Sequence, residues 1–180
     1  MNILERETSL GLKKIYEKTP NFVCKRILDA SSFNYKCPSQ PGDFDGVHSG
    51  KAFIIECKST KKPRFYLSQI REHQYDDMIE YSLAGANSWF LLSYRNTRDV
   101  KYACISVIDL FNIIMDSYLE KGNIPASFSY DELINQYHGI PLYISHDEHK
   151  VRYINFDKLF TNTNTNINQV DLDIDMDLEE

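Results

Sequence analysis

The chain has 180 residues, room for one domain with a sizeable core. With 42% hydrophobic and 13% aromatic residues it is not a disordered polymer, and it contains no run of 18 apolar residues that would make a helical membrane span. The net charge of −6 argues at first against nucleic acid, but six of the 26 acids lie in residues 171–180; the remaining 20 balance 20 lysines and arginines, so a local basic patch stays open.

The opening MNILERETSLGLKK carries charges where a signal peptide needs an apolar stretch, so a soluble, cytoplasmic protein with no membrane partner is expected. Residues 8–18 read as a first helix capped by Thr8 or Ser9, and Asn21 as the cap of a second, Phe22–Ala30, unless the two form one helix broken at Pro20. Two prolines and a glycine make 35–43 a loop. Phe44–His48 and Ala52–Lys58 then form a hairpin around Ser49-Gly50. Residues 59–66 are a basic loop, after which Ser68 caps a long helix to about Ala84.

Trp89–Tyr94 and Tyr102–Val107 read as strands. A helix from about Ile108 to Glu120 has Ile108, Phe111, Ile114, Met115 and Tyr118 on one face; core packing is expected there, with a dimer interface as the alternative. Ser129 and Glu132 have the spacing of a capping box and open a short helix to Tyr137. Residues 141–145 and 151–156 add edge strands. The element order predicts an α/β fold with a central mixed β-sheet flanked by helices. The domain spans 1–160, and the polar TNTNTNINQ with the acidic decapeptide makes 161–180 a disordered tail, either solubilising or a ligand for a basic protein partner.

The chemistry concentrates in PSQPGDFDGVHSGKAFIIECKST, residues 38–60. Period-two alternation puts Glu56 and Lys58 on one face and Cys57 on the other, and the hairpin folds Asp43 back beside Glu56. Two carboxylates at close range repel unless a divalent cation lies between them, and oxygen-only ligands favour Mg²⁺, with Mn²⁺ able to substitute. The Cys57 carbonyl is a further candidate ligand. Such a metal lowers the pKa of bound water and polarises a phosphate. Lys58, as a protonated ammonium, suits charge stabilisation better than general-base work. The four cysteines (Cys24, Cys37, Cys57, Cys104) form no CxxC pair and no zinc spacing, so reduced thiols are expected. His138, His146 and His149 read as surface residues.

The run GDFDGV…GKAFIIECKSTKK…RFYLSQIREHQ resembles the RecU family of Holliday-junction resolvases, a branch of the PD-(D/E)XK nucleases. The resemblance rests on Asp43 at the hairpin start, Glu56-Cys57-Lys58, Ser59-Thr60, Phe65 and His73-Gln74. It implies a restriction-endonuclease-like core, Mg²⁺-dependent phosphodiester cleavage and a homodimer. It also implies an acid from the first helix near the metal: Glu17 is best placed, with Glu5 and Glu7 competing. The family's stalk ahead of the catalytic hairpin has little room in this chain.

Around that motif, Gln74 is expected to aim its amide into the site, with His73 a surface neighbour. Asp45, two residues from Asp43, is a possible additional acid. Lys51, Lys61, Lys62, Arg64 and Arg71, with Phe65 and Tyr66 interleaved, are candidate DNA contacts: cations for phosphates and aromatics for exposed bases. Lys13, Lys14, Lys18, Lys25 and Arg26 form a second basic cluster. The expected function is a Mg²⁺-dependent endodeoxyribonuclease on branched DNA, with catalytic Asp43, Glu56, Lys58 and Gln74. The alternatives are a nuclease for linear or single-stranded DNA, or an inactive DNA-binding module of the same fold.

Overall fold

The structure, a computed structural model, describes residues 2–27, 41–96 and 99–161. Most of the expected loop 35–43, Cys37, the last residues of the expected second helix and the tail beyond Thr161 lie outside them.

The first helix, α1 (Ile3–Lys18), starts five residues earlier than expected because Asn2 is its cap, its side chain accepting the Glu5 amide at 3.0 Å. The expected helix after Asn21 is instead a strand, β1 (Phe22–Arg26). Phe-Val-Cys has two residues of high β propensity, and β2 (Phe44–His48) gives it an antiparallel partner from Phe22↔His48 to Arg26↔Phe44; tertiary pairing overrides the weak local helix signal. Strands β2 and β3 (Lys51–Thr60) form the expected hairpin. Its two-residue turn, Ser49 (φ 50°) and Gly50 (φ 82°), has both residues left-handed, which matches the twist of the flanking strands.

The expected basic loop is partly strand. Residues 64–66 form β4 (Arg64–Tyr66), and a 3-10 turn at Leu67–Gln69 precedes α2 (Glu72–Leu83). The helix therefore begins after Arg71, not at Ser68. It is followed by β5 (Asn87–Arg95), β6 (Val100–Ser106), α3 (Val107–Lys121), β7 (Ser127–Ser129) and α4 (Tyr130–Asn135). The α4 cap is the expected box: Ser129 Oγ accepts the Glu132 amide at 3.2 Å and Glu132 accepts the Ser129 amide at 2.7 Å. Strands β8 (Ile140–His146) and β9 (Arg152–Asn155) and the short α5 (Asp157–Thr161) complete the described chain.

Seven strands form one sheet in the order β1-β2-β3-β5-β6-β8-β9, with only β3–β5 parallel. A mixed sheet flanked by helices is thus the fold class. Alternation along the central strands splits the core. Phe53, Ile55, Trp89, Leu91, Tyr102 and Cys104 face α1 and α5. Phe90, Leu92, Tyr94, Ala103 and Ile105 face Met78 of α2, Leu110 of α3 and Leu133 of α4, with Phe65 and Phe128 of the small β4–β7 ribbon filling the gap. Helix α1 presses on β9 so closely that a Cβ at Gly11 would land on the Ile154 carbonyl oxygen.

Helix α3 departs from expectation. It turns Val107 and Leu110 inward and leaves Ile108, Phe111, Met115, Tyr118 and Leu119 exposed, Leu119 at 75%. Both sides of this helix are apolar, so periodicity does not say which one meets the sheet.

Candidate active site

Strand β3 runs through the middle of the sheet, and its AFIIEC sequence is what a strand covered on both faces requires. That placement buries Glu56, 5% exposed, in a strand flanked by Phe90 of β5. Asp43 precedes β2 and is tied on both sides: its amide donates to the Ile55 carbonyl at 2.9 Å, and its own carbonyl accepts the Ile27 amide at 2.8 Å. Its side-chain Oδ2 accepts the Cys57 amide at 2.8 Å, which fixes the carboxylate beside Glu56.

Lys58, two residues on, shares the Glu56 face and pairs with Glu56 Oε1 at 2.8 Å. Gln74, the third residue of α2, closes a triangle: its Nε2 donates to Glu56 Oε1 at 2.7 Å and its Oε1 accepts from Lys58 Nζ at 2.6 Å. The same Oε1 accepts the Arg71 amide at 3.4 Å, so Gln74 also helps cap its helix. One turn further, fully buried Met78 anchors α2 to the sheet. Cys57 points to the opposite face, its sulfur 3.8 Å from Thr8 Oγ1 on α1, with burial pushing its thiol pKa well up.

Both acids have raised pKa values. For Glu56 burial is the largest cause, followed by the negative charge of Asp43; Lys58 and the Gln74 hydrogen bond oppose them. For Asp43 burial again leads and Glu5 adds to it, against the Cys57 amide, Lys58 and Arg26. The protein's own cations therefore do not offset the cost of two buried carboxylates. Asp43 Oδ1 and Glu56 Oε2 have no protein donor among the described residues. Also among the described residues, no three His, Cys, Asp or Glu side chains converge. Two such carboxylates, each with one oxygen unpaired among the described residues, suit a hard cation that keeps several waters, Mg²⁺ or Mn²⁺, better than one caged by protein ligands.

The other candidates divide. Glu17 pairs with Lys14 at 3.1 Å near the far end of α1, roughly 18 Å along the helix from Glu5 at 1.5 Å per residue. Glu7 is turned into the core, where it accepts the Tyr102 hydroxyl at 2.5 Å and pairs with Arg152 at 3.3 Å. Glu5 is the acid of α1 whose charge reaches Asp43, and it pairs with Arg26 at 2.5 Å. The Asn2 cap, which sets Glu5 in the first turn, was the available signal for it. Asp45 lies opposite Ile54, two residues before Glu56, and its Oδ1 is buried with no partner among the described residues.

Among the basic residues, Lys51 begins β3 and so lies about 17 Å from Glu56 and about 23 Å from Lys58 along the strand, at 3.3 Å per residue. Lys61, Lys62 and Arg71 are exposed near the Lys58 end. Arg64 is engaged structurally: it bonds Ser127 Oγ and its carbonyl, both at 2.9 Å, and Glu132 at 2.7 Å. Phe65 is fully buried against Phe128, 5.9 Å between ring centroids, so it has no face for a base. Strand alternation explains the swap: with residue 65 inward, Tyr66 is the aromatic left outside. His73, His138, His146 and His149 are exposed.

A family profile, RecU (Recombination protein U), matches residues 25–169, more than half of the chain and all of the site just described. The chain belongs to the RecU family. No curated protein matches. Among solved structures this RecU-family chain is similar to Hjc, a Holliday junction resolvase from the archaeal hyperthermophile Archaeoglobus fulgidus, with 16% identity over 77% of this chain and 93% of that one and a TM-score of 0.45. The RecU match begins at Lys25, so α1 and its Glu5 lie ahead of it.

Proposed function

We propose that this RecU-family chain is a divalent-metal-dependent endonuclease that cleaves branched DNA, with Holliday junctions as its substrate. The single observation that carries the reading is the closed triangle of Glu56, Lys58 and Gln74 beside a second buried carboxylate, Asp43. RecU membership supports junction resolution over the alternative of general duplex cleavage. A Mg²⁺ or Mn²⁺ ion held there supplies Lewis acidity and an acidified water. Asp43 and Glu56 would hold such an ion, with the Cys57 carbonyl as a further candidate ligand. An ammonium has three donors, and Glu56 and Gln74 use two of those of Lys58; the third is left for a phosphate oxygen or the attacking water. Gln74 keeps Lys58 and Glu56 aligned while the charge on the phosphate develops. Lys61, Lys62 and Arg71, near the same end of β3, contact flanking phosphates.

The exposed apolar face of α3 supports a homodimer, since a contiguous stripe from Ile108 to Leu119 is more than isolated surface apolar residues explain. A two-fold pair of sites suits the two symmetric cuts that a four-way junction needs.

The test is cleavage of a labelled four-way junction and of a linear duplex of the same sequence, with Mg²⁺, with Mn²⁺ and with chelator. Cleavage of the junction alone, dependent on metal and abolished in Asp43→Asn and in Glu56→Ala, is expected. Equal turnover of both substrates removes the junction assignment, and cleavage by either variant removes the site assignment.

A further inference from the structure

The segment that links Lys58 to Gln74 does more than connect them. It folds back on itself at Thr60, whose hydroxyl donates to the Arg64 carbonyl at 3.4 Å and accepts the Lys62 amide at 3.1 Å. Lys58 and Tyr66 each lie two residues from that contact, roughly 7 Å at the rise of a strand. Tyr66 is held from several sides. It pairs with Ser127 in the β4–β7 ribbon, and the next amide, Leu67, donates to the Ala126 carbonyl at 3.0 Å. Its own amide donates to Gln69 Oε1 at 3.4 Å. The ribbon is pinned beneath by buried Phe65 and from the side by the Arg64–Glu132 pair. The residue is nonetheless 37% exposed, and Lys62 Nζ stands 4.8 Å over the ring centroid.

We propose that Tyr66, flanked by Lys62, is a stacking platform for an unpaired base next to the phosphate that Lys58 engages, and that it selects branched over fully paired DNA. This rests on the nuclease reading and adds a specificity element to it. A rigid aromatic ring loses little conformational freedom when a base stacks on it, and a ring presents a π-face to any base irrespective of sequence. In an uninterrupted duplex every base is already stacked between neighbours. At a branch point a base has a face to offer. Lys62 supplies the complementary part, an ammonium for the adjoining phosphate, from the same loop.

The experiment measures equilibrium binding without divalent metal, which keeps it independent of cleavage. The probes are a four-way junction carrying 2-aminopurine at the branch point and a linear duplex of equal length. The proteins are the parent, Tyr66→Ala, Tyr66→Leu (bulk without a π-face) and Tyr66→Trp. Both Ala and Leu are expected to weaken junction binding about tenfold, the order of one lost base stack. They should also abolish the quenching of 2-aminopurine and leave duplex binding within about twofold of the parent, while Trp restores both junction signals. Equal weakening on junction and duplex, or unchanged junction binding in both Ala and Leu, overturns the proposal. The nuclease reading stands or falls separately, on whether Asp43→Asn abolishes cleavage.

Discussion

Replacing Asp43 by Asn separates metal binding from folding, because the Asn oxygen still accepts the Cys57 amide while one of two buried negative charges disappears. Both acids have native pKa values raised above the ordinary 3.8 and 4.5, chiefly by burial. In the window between those ordinary values and the raised native ones, the folded chain holds more protons than the unfolded chain. The stability they contribute is therefore fully present below the ordinary carboxylate range and is lost as pH rises through the raised native values. A divalent cation competes with those protons, so its stabilising effect should be larger at pH 8 than at pH 5. At a free concentration one hundred times its dissociation constant, a ligand specific for the folded state adds about 2.7 kcal/mol. For a chain of 180 residues each kcal/mol moves Tm by about 2–4 °C, so saturating Mn²⁺ should raise Tm by roughly 5–11 °C at pH 8. The Asn variant should lose nearly all of that shift while melting, without metal at pH 8, no lower than the parent. Scanning calorimetry at the two pH values reads both quantities. An Asn variant that keeps the full metal shift, or a parent with none, would refute the two-carboxylate site.

Lys58→Ala removes the cation from Glu56 and should cost up to about 3 kcal/mol at pH 8 in urea unfolding, and less as falling pH favours the neutral form of Glu56, together with a fall in cleavage of at least about 10²-fold. Gly11→Ala sets two effects against each other: Ala favours a helix by about 1 kcal/mol, but its Cβ would meet the Ile154 carbonyl and lie 2.9 Å from the Phe156 ring. Backbone cannot yield as a side chain can, so a net loss of about 2 kcal/mol is expected in the same assay. In light scattering the parent is expected at the mass of a dimer and Phe111→Glu on α3 at that of a folded monomer; a dimeric mass in both would place the interface elsewhere.

The geometry of the candidate site was legible because two short-range rules act in it. Alternation along one strand puts Glu56 with Lys58, and a tight Ser49-Gly50 turn returns Asp43 to Glu56. Neither needs knowledge of the rest of the chain. What failed needed that knowledge. Strand β1 exists because β2 lies beside it, and a pairing partner 22 residues away leaves no mark in Phe22–Arg26 alone. Phe65 and Tyr66 are equivalent aromatics until the β4–β7 ribbon decides which one points inward. Lys51 joins the basic residues in composition only, since β3 carries it to the other end of the sheet.

The distribution of restraint around the site bears on how such a protein combines fixed chemistry with a deformable substrate. Asp43 is tied by three hydrogen bonds, Glu56 lies in the middle of a seven-stranded sheet, and Gln74 is set by a helix that Met78 roots in the core. These groups have no room to adjust, as charge stabilisation of a transition state requires. Lys61, Lys62 and Arg71 sit on exposed loop and helix-start positions outside the sheet, which suits contacts to a phosphate backbone of variable path. Tyr66 stands between these regimes, its backbone fixed by the ribbon while the residue stays exposed at the surface. A rigid mount at that point is what allows one aromatic face to distinguish a base that has left its stack from one that has not, and a floppy loop carrying the same tyrosine would lose that distinction.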